Sequence, residues 1–129
     1  MKIPLLLSVT FVLLVACSSQ GDVEGTWKND KGNILMVEKN NVAYFAQEGQ
    51  QAKEKAEYHM SKDSVIVKQN IPNMPNAYVV YTFLHEKEQI KLLQILQSRS
   101  GVESVMKGDA LAQQMRVPPA TLIFKRVKK

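Results

Sequence analysis

Short runs rich in apolar, β-branched and aromatic residues recur about every ten positions between residues 25 and 97. Such runs, bounded by turn residues, predict the β-strands of an antiparallel sheet. The segments between the runs are rich in Asn, Gly, Asp and Lys and predict turns. The predicted strands cover residues 25–28, 34–38, 42–46, 56–60, 64–69, 77–85 and 89–97, and a last strand covers 121–127.

Two stretches depart from this pattern. Residues 70–76 contain two prolines, which lack a backbone donor, and so predict an exposed loop. In residues 102–115 the apolar side chains recur at roughly helical spacing, which predicts one short helix that Pro118 and Pro119 end. The chain is therefore predicted to be mainly β, an antiparallel up-and-down meander of about eight strands with one short helix before the last strand. A small barrel closes such a meander most economically, and an open sheet or a sandwich is the alternative.

The predicted strands at 34–38, 77–85 and 89–97 carry apolar residues on both faces. A strand with one face in water alternates with polar residues, so the second face of these strands needs a cover. The predicted helix supplies part of it, and other parts of the chain are the plain explanation for the rest. The alternatives are an apolar ligand cavity, a surface for a partner or a self-association face.

The first predicted strand begins with Gly25, Thr26 and Trp27, which resembles the G-x-W start of lipocalin-like domains. Residues 122–126 resemble the final strand of small lipocalin-like lipoproteins. These resemblances imply a lipocalin-like small barrel in which the Trp side chain plugs one end. The chain departs from the family in lacking its usual disulfide, because it contains one Cys.

The start of the chain predicts export. Residues 3–16 are almost entirely apolar, and this run is shorter than the roughly 20 residues of a helix that spans a bilayer, so it is typical of a secretory signal. The run ends in Leu14, Val15, Ala16 and Cys17, which resembles the lipobox of bacterial lipoprotein precursors. The resemblance implies cleavage between Ala16 and Cys17 and attachment of lipid chains, palmitate among them, to Cys17.

The lipobox divides the chain into a signal peptide, residues 1–16, a lipidated tether, residues 17–23, and a lipocalin-like β domain, residues 24–129. Two or more acyl chains hold a protein on a membrane almost permanently, so no transmembrane helix is needed. Ser18 follows the Cys where Asp would imply retention at the inner membrane. The resemblance therefore implies the outer membrane with the domain facing the periplasm, or the outer face of the plasma membrane in an organism with a single membrane.

The composition is that of one domain with a packed core: 129 residues, 45% of them hydrophobic and 22% charged. The net charge is +5, and loss of Lys2 with the signal leaves +4. The basic residues Lys125, Arg126, Lys128 and Lys129 suit either a solvated strand end or the anionic headgroups of a membrane. Nucleic acid is disfavoured as a partner, since no aromatic residues interleave with these charges and an exported protein does not meet it.

Catalytic and metal chemistry find little support. His59 and His85 lie in predicted strands without a nucleophile motif around them, and two His without a free Cys are too few for a zinc site. The methionines are scattered and predict core filling, not a copper site. Glu86 and Glu88 flank a predicted turn where both are solvated, and the isolated glycines form no phosphate loop. We therefore expect no enzyme, no cofactor and no bound metal.

Three functions are compatible with these observations. The first is a membrane-anchored, non-catalytic binding domain for a small apolar or lipid-like ligand, whose rim would lie in the loops at 47–51 and 70–76. The second is a protein-interaction module of the cell envelope, either an assembly accessory or an inhibitor or immunity protein for a periplasmic enzyme. The third is a structural surface lipoprotein without a specific ligand. The candidate rim residues are Gln47, Gln51, Asn73 and Met74.

Overall fold

Nine strands, all paired antiparallel, make up most of residues 23–127, the part of the chain that the computed structural model describes. A seven-residue helix and a 3₁₀ turn come between the last two strands. The strands are β1 Gly25–Lys28, β2 Asn33–Val37, β3 Val42–Gln47, β4 Lys53–Ser61, β5 Ser64–Asn70, β6 Tyr78–Glu86, β7 Gln89–Arg99, β8 Val102–Lys107 and β9 Ile123–Arg126. The helix, α1, is Asp109–Met115, and the 3₁₀ turn is Pro119–Leu122.

The sheet closes into a barrel. Strands β1 to β7 pair with their neighbours in chain order, and β9 then pairs with β7 on one side and with β1 on the other. Within residues 23–127, eight strands therefore form a closed antiparallel ring, and β8 lies beside it, paired with β7. The predicted up-and-down barrel with one short helix before its last strand is confirmed. Closure satisfies the backbone donors and acceptors that an open sheet leaves at its edges.

The helix predicted over 102–115 is wrong in its first half. Residues 102–107 form β8, and the helix covers Asp109–Met115 alone. The reason lies in the two residues before β8, Ser100 and Gly101, which both have positive φ angles of 52° and 78°. Two consecutive positive φ values are typical of the tight turn that returns a chain antiparallel to itself, so β8 pairs with the end of β7. This pairing overrides the helical spacing of the apolar residues.

An irregularity in β7 explains in part why apolar residues occur at positions that alternation would place on both faces of this strand. Thr82 pairs with Gln94 and Phe83 pairs with Leu92, which leaves Leu93 as an extra residue in β7. Such a β-bulge reverses which face the following residues occupy. Leu92 and Ile95, three positions apart, are consequently both buried in the core.

Trp27 fills one end of the barrel, here called the closed end. Its side chain is fully buried, and its Nε1 donates a hydrogen bond to the carbonyl oxygen of Val23 at 3.0 Å. The guanidinium of Arg126 lies 4.3 Å from the centre of the Trp27 ring. Arg126 also donates to the carbonyl oxygen of Glu24 at 2.6 Å and to the Glu88 carboxylate at 3.0 Å. The plug implied by the G-x-W resemblance is thus observed, and the last strand fastens it.

Gly25 makes this arrangement possible. Its φ of +137° lies in a region that residues with a side chain rarely adopt, and a Cβ at this position would lie 2.9 Å from an Arg126 nitrogen. The glycine of the G-x-W segment therefore leaves room for the guanidinium that covers the Trp ring.

The opposite end of the barrel, here called the mouth, carries the loops that follow β1, β3, β5 and β7. Asn29 fixes the first of these loops: its side chain accepts hydrogen bonds from the backbone nitrogens of Lys31 and Asn33 and donates one to the carbonyl oxygen of Thr121. The helix α1 contacts β7, β8 and the 3₁₀ turn, and it contributes the buried side chains of Leu111 and Ala112 to the core. The helix therefore narrows the mouth on the side of β7 and β8, and the mouth is open on its other sides.

Replacing Trp27 by Ala removes the plug of the closed end and leaves a cavity beneath Arg126. We expect the W27A variant to lose about 3–5 kcal/mol of unfolding free energy, as other buried aromatic residues do when truncated. Urea unfolding followed by far-UV circular dichroism measures the loss. The control is Val102→Ala on β8, where the Val is 70% exposed, and its change should stay within about 0.5 kcal/mol. Equal effects of the two substitutions would contradict the assigned role of Trp27.

Candidate functional site

A cavity of about 410 Å³ opens at the mouth of the barrel. Its deepest walls are side chains that are nearly fully buried, among them Phe83, Leu92, Ile95 and Phe124. Its outer walls are exposed or half-buried and combine polar with apolar side chains. These outer residues are Asn33, Ile34, Phe45, Ala46, Gln47, Gln50, Ala52, Glu54, Gln69, Tyr81 and Met115. The site is therefore an apolar pocket with a polar rim, the usual composition of a site for a small ligand.

Strand alternation determines which side chains reach the cavity. On β4, Ala56 and Tyr58 are buried in the core, and Glu54 lies in the same phase two residues before them. Glu54 is paired directly with Phe45 of β3, so their side chains are neighbours on the inner face. The bulge at Leu93 adds a further wall, because it turns Ile95 inward beside the cavity.

An aromatic pair and a carboxylate lie next to each other on the rim. The rings of Phe45 and Tyr81 lie 4.7 Å apart between centroids and are tilted by 53°. Gln69 Nε2 donates a hydrogen bond to Glu54 Oε2 at 2.5 Å. Burial, and to a smaller extent the negative charge of Glu54, raises the pKa of the Tyr81 phenol above its ordinary value of 10.0. At neutral pH the rim thus presents a neutral hydroxyl beside a carboxylate.

Next to this rim the backbone pairing between two neighbouring strands of the barrel wall, β4 and β5, is interrupted. The pairing of β4 with β5 runs from Ser61 and Ser64 to Glu57 and Lys68, and it ends there although both strands continue toward the mouth. The hydrogen bond from Gln69 to Glu54 spans the two strands beyond this point. A side-chain contact therefore replaces the backbone ladder at the edge of the cavity.

The predicted rim residues all lie at the mouth end, but only one of the four lines the cavity. Gln47, the last residue of β3, is in the cavity wall and donates a hydrogen bond to Asn33. Gln51 is an exposed residue of the loop between β3 and β4. Asn73 and Met74 are exposed in the loop between β5 and β6, where Met74 borders a separate shallow recess.

The other residues singled out from the sequence are dispersed. His59 is exposed on β4, and His85 lies at the closed end, where its ring meets Trp27 edge to face at 5.8 Å. Glu86 and Glu88 are exposed on either side of the turn between β6 and β7. Within residues 23–127, no three His, Cys, Asp or Glu side chains come together in a way that would hold a metal ion.

The predicted lipidation site lies outside the described residues. Ala16 and Cys17, where cleavage and acylation are expected, precede residue 23, and so do the signal peptide and nearly all of the tether. The last two lysines of the basic tail also fall outside. None of the helices within residues 23–127 is long and apolar enough to cross a bilayer.

The fold and the cavity together define a small up-and-down β-barrel with an apolar interior that is open at one end. The crystal structure of pallilysin from Treponema pallidum is similar to this chain, with a TM-score of 0.57 over 85% of this chain and 81% of that one. The two sequences are 9% identical, so the likeness shows a shared fold alone. No family model matches this sequence, and no curated protein matches it either.

Sequence reasoning missed Glu54 and Phe45 as cavity residues. The prediction of a strand at 56–60 leaves Glu54 outside it, whereas the observed strand is Lys53–Ser61. The period-two pattern of Glu54, Ala56 and Tyr58 could have extended the strand, although one charged residue in an apolar series argued against it. Phe45 and Tyr81 lie in predicted strands, but their convergence depends on closure of the barrel, which no local pattern reports.

Titration of Tyr81 tests the electrostatics of the rim. We expect its phenol to ionise above pH 10 when followed by NMR of the ring carbons, and Glu54→Gln should lower this pKa without bringing it to 10. Because the unfolded chain ionises first, the Tyr81 contribution to folding is present below about pH 10 and is lost at higher pH. The unfolding free energy of Tyr81→Phe should accordingly fall less steeply above pH 10 than that of the wild type. Ionisation of Tyr81 below pH 10 would contradict the assignment.

Proposed function

We propose that this protein is a lipid-anchored lipoprotein of the cell envelope whose barrel binds a small apolar or lipid-like ligand without catalysing a reaction. The observation that carries the proposal is the cavity at the mouth of the barrel. Its volume of about 410 Å³ lies in the range of roughly 300–1,000 Å³ that small-molecule sites occupy. A ligand seated there would bury apolar surface at about 25 cal/mol per Å².

The composition of the wall supports an apolar ligand. The deep residues Phe83, Leu92, Ile95 and Phe124 present hydrocarbon and aromatic surface, and the polar side chains are confined to the rim. An amphiphile with an apolar tail and one polar end matches this distribution, because the tail leaves water and the polar end stays near it. The pocket also offers aromatic faces, which pack well against alkyl or ring systems.

The anchor we propose at Cys17 would join the barrel at its closed end. The described chain begins with Val23, which binds the Trp27 plug, and the chain also leaves the barrel at this end through Arg126. The six Cα–Cα steps from Cys17 to Val23 span at most about 20 Å when extended. The mouth would consequently face away from the membrane, toward the periplasm if the anchor lies in an outer membrane, and Lys125 and the lysines after it would lie near lipid headgroups.

A substitution at the lipobox tests the anchor. Cys17→Ala removes the acceptor sulfur, so the variant should incorporate no radiolabelled palmitate and should leave the membrane fraction when cells are lysed and sedimented. The control is Ser18→Ala, which keeps the sulfur and should remain labelled and sedimenting. A wild type that takes up no palmitate would end the proposal of a lipid anchor.

A large side chain inside the pocket tests the ligand site. Ile95→Trp projects into the cavity, and we expect it to weaken binding of a neutral environment-sensitive dye such as Nile red by at least about tenfold, which corresponds to about 1.4 kcal/mol. Leu96→Trp is the matched control, because Leu96 follows Ile95 in β7 and lies on the outer face beside Val80 and Val105. Circular dichroism verifies that both variants are folded. Equal dye binding by Ile95→Trp and the wild type would contradict a ligand site in the barrel.

A second candidate function is a protein-interaction module of the envelope, and β8 favours it. Among the strands of residues 23–127, β8 pairs with β7 alone, and its Val102 and Val105 are 70% and 50% exposed. An edge strand with exposed apolar residues can accept a strand from another protein. Crosslinking from position 105 in intact cells separates the two candidates, since a stoichiometric protein partner there supports the second.

A further inference from the structure

We infer that the cavity selects amphiphiles whose polar end is a protonated amine and discriminates against those that end in a carboxylate. The inference rests on the ligand-binding function proposed above and adds the chemical class of the ligand. Its basis is the juxtaposition of the Glu54 carboxylate with the Phe45 and Tyr81 rings at the rim.

Charge at the cavity is negative and unbalanced. Among the described residues that line it, Glu54 alone is charged, and neither Lys nor Arg is present. Within residues 23–127 the ion pairs join other residues, Lys28 with Glu48 and Arg126 with Glu88. The carboxylate of Glu54 accepts a hydrogen bond from the Gln69 amide, a group that carries no charge to balance it.

The lysines closest in sequence to Glu54 project away from it. Lys53 and Lys55 lie in the opposite phase of β4, on the outer face of the barrel. The Lys53 ammonium is 4.6 Å from the centre of the Tyr44 ring, and the Lys68 ammonium lies at the same distance from the Tyr78 ring, both on the outside. No lysine of this part of the structure therefore neutralises the rim from within the cavity.

Two aromatic rings complete the environment that a cation prefers. Phe45 is the cross-strand partner of Glu54, and Tyr81 packs against Phe45 with 4.7 Å between ring centroids. An ammonium group at the rim would meet a carboxylate and the electron-rich faces of these rings, which attract cations. Tyr81 lies close enough to feel the charge of Glu54, which is one cause of its raised pKa.

A carboxylate at the same position would meet the opposite conditions. It would approach Glu54 without a basic side chain to balance the two charges, and it would lose hydration on entering a partly apolar site. A neutral alcohol would avoid the repulsion but would gain no attraction. The ranking expected from the rim is therefore amine, then alcohol, then carboxylate, for one and the same alkyl tail.

Photoaffinity labelling of the full chain in lipid nanodiscs tests this ranking. Three alkyl diazirine probes with one tail length and an amine, alcohol or carboxylate end are compared, and labelled peptides are mapped by mass spectrometry to the segments that contain Phe45 and Tyr81. Each probe is compared between protein variants, so that its own partition into lipid cancels. Glu54→Gln removes the charge, and Glu57→Gln is the control, because it removes the same charge from the outer face of β4.

We expect Glu54→Gln to lower labelling by the amine probe at least about threefold and to raise labelling by the carboxylate probe, with Glu57→Gln within about twofold of the wild type. In the wild type, added salt should weaken labelling by the amine probe and not by the alcohol probe, which tests the charge without any substitution. This inference would be overturned if labelling by the amine probe were unchanged in Glu54→Gln, or if the carboxylate probe labelled the cavity more strongly than the amine probe. The proposed ligand site itself would remain. Failure of all three probes to label the cavity would overturn the proposed function as well.

Discussion

Closure of the barrel depends on β9, a strand of four residues that pairs with both β1 and β7. Its short length decides the shape of the whole molecule. Because β9 pairs with only the first residues of β7, the part of that β7 edge nearer the mouth pairs with β8 instead. One end can then be sealed while the other stays open, and Arg126 of the same strand secures the seal over Trp27.

The two ends of the barrel consequently differ in how their interior is filled. At the closed end a fully buried aromatic ring, a stacked guanidinium and hydrogen bonds to backbone carbonyls leave little space. At the mouth, the inner face retains a cavity although large apolar side chains surround it. A barrel that served stability alone would fill this space with side chains, because burial of more apolar surface stabilises a fold. The persistence of the cavity beside a well-packed end is the physical reason to regard it as a site.

The local pattern predicts eight of the nine strands that residues 23–127 contain and misses β8, and it does not show which distant strands pair. The turn at Asn40 and Asn41, where both residues have positive φ, follows from residue type, and the long hairpin of β6 and β7 follows from two apolar runs on either side of the charged residues 86–88. The bulge at Leu93 and the pairing of β8 depend on a second strand, so the sequence of one strand does not locate them. The same holds for the site: a loop position predicts Gln47 as a rim residue, whereas Glu54 reaches the cavity because β4 begins at Lys53.

The fold determines the direction of the Glu54 side chain, but it does not determine that this side chain is charged. The inner residues that follow it on β4, Ala56 and Tyr58, are buried, and their phase fixes the direction of Glu54 as well, because a shift by one residue would turn the whole strand inside out. Glu54 itself is exposed, so the core does not require an apolar residue at this position. The carboxylate lies where the backbone pairing with β5 ends, and its exposure to water lets a charged group stand here at little cost to the fold. Because Glu54 contributes little to folding and faces the cavity, its charge bears chiefly on the ligand that we propose for this cavity.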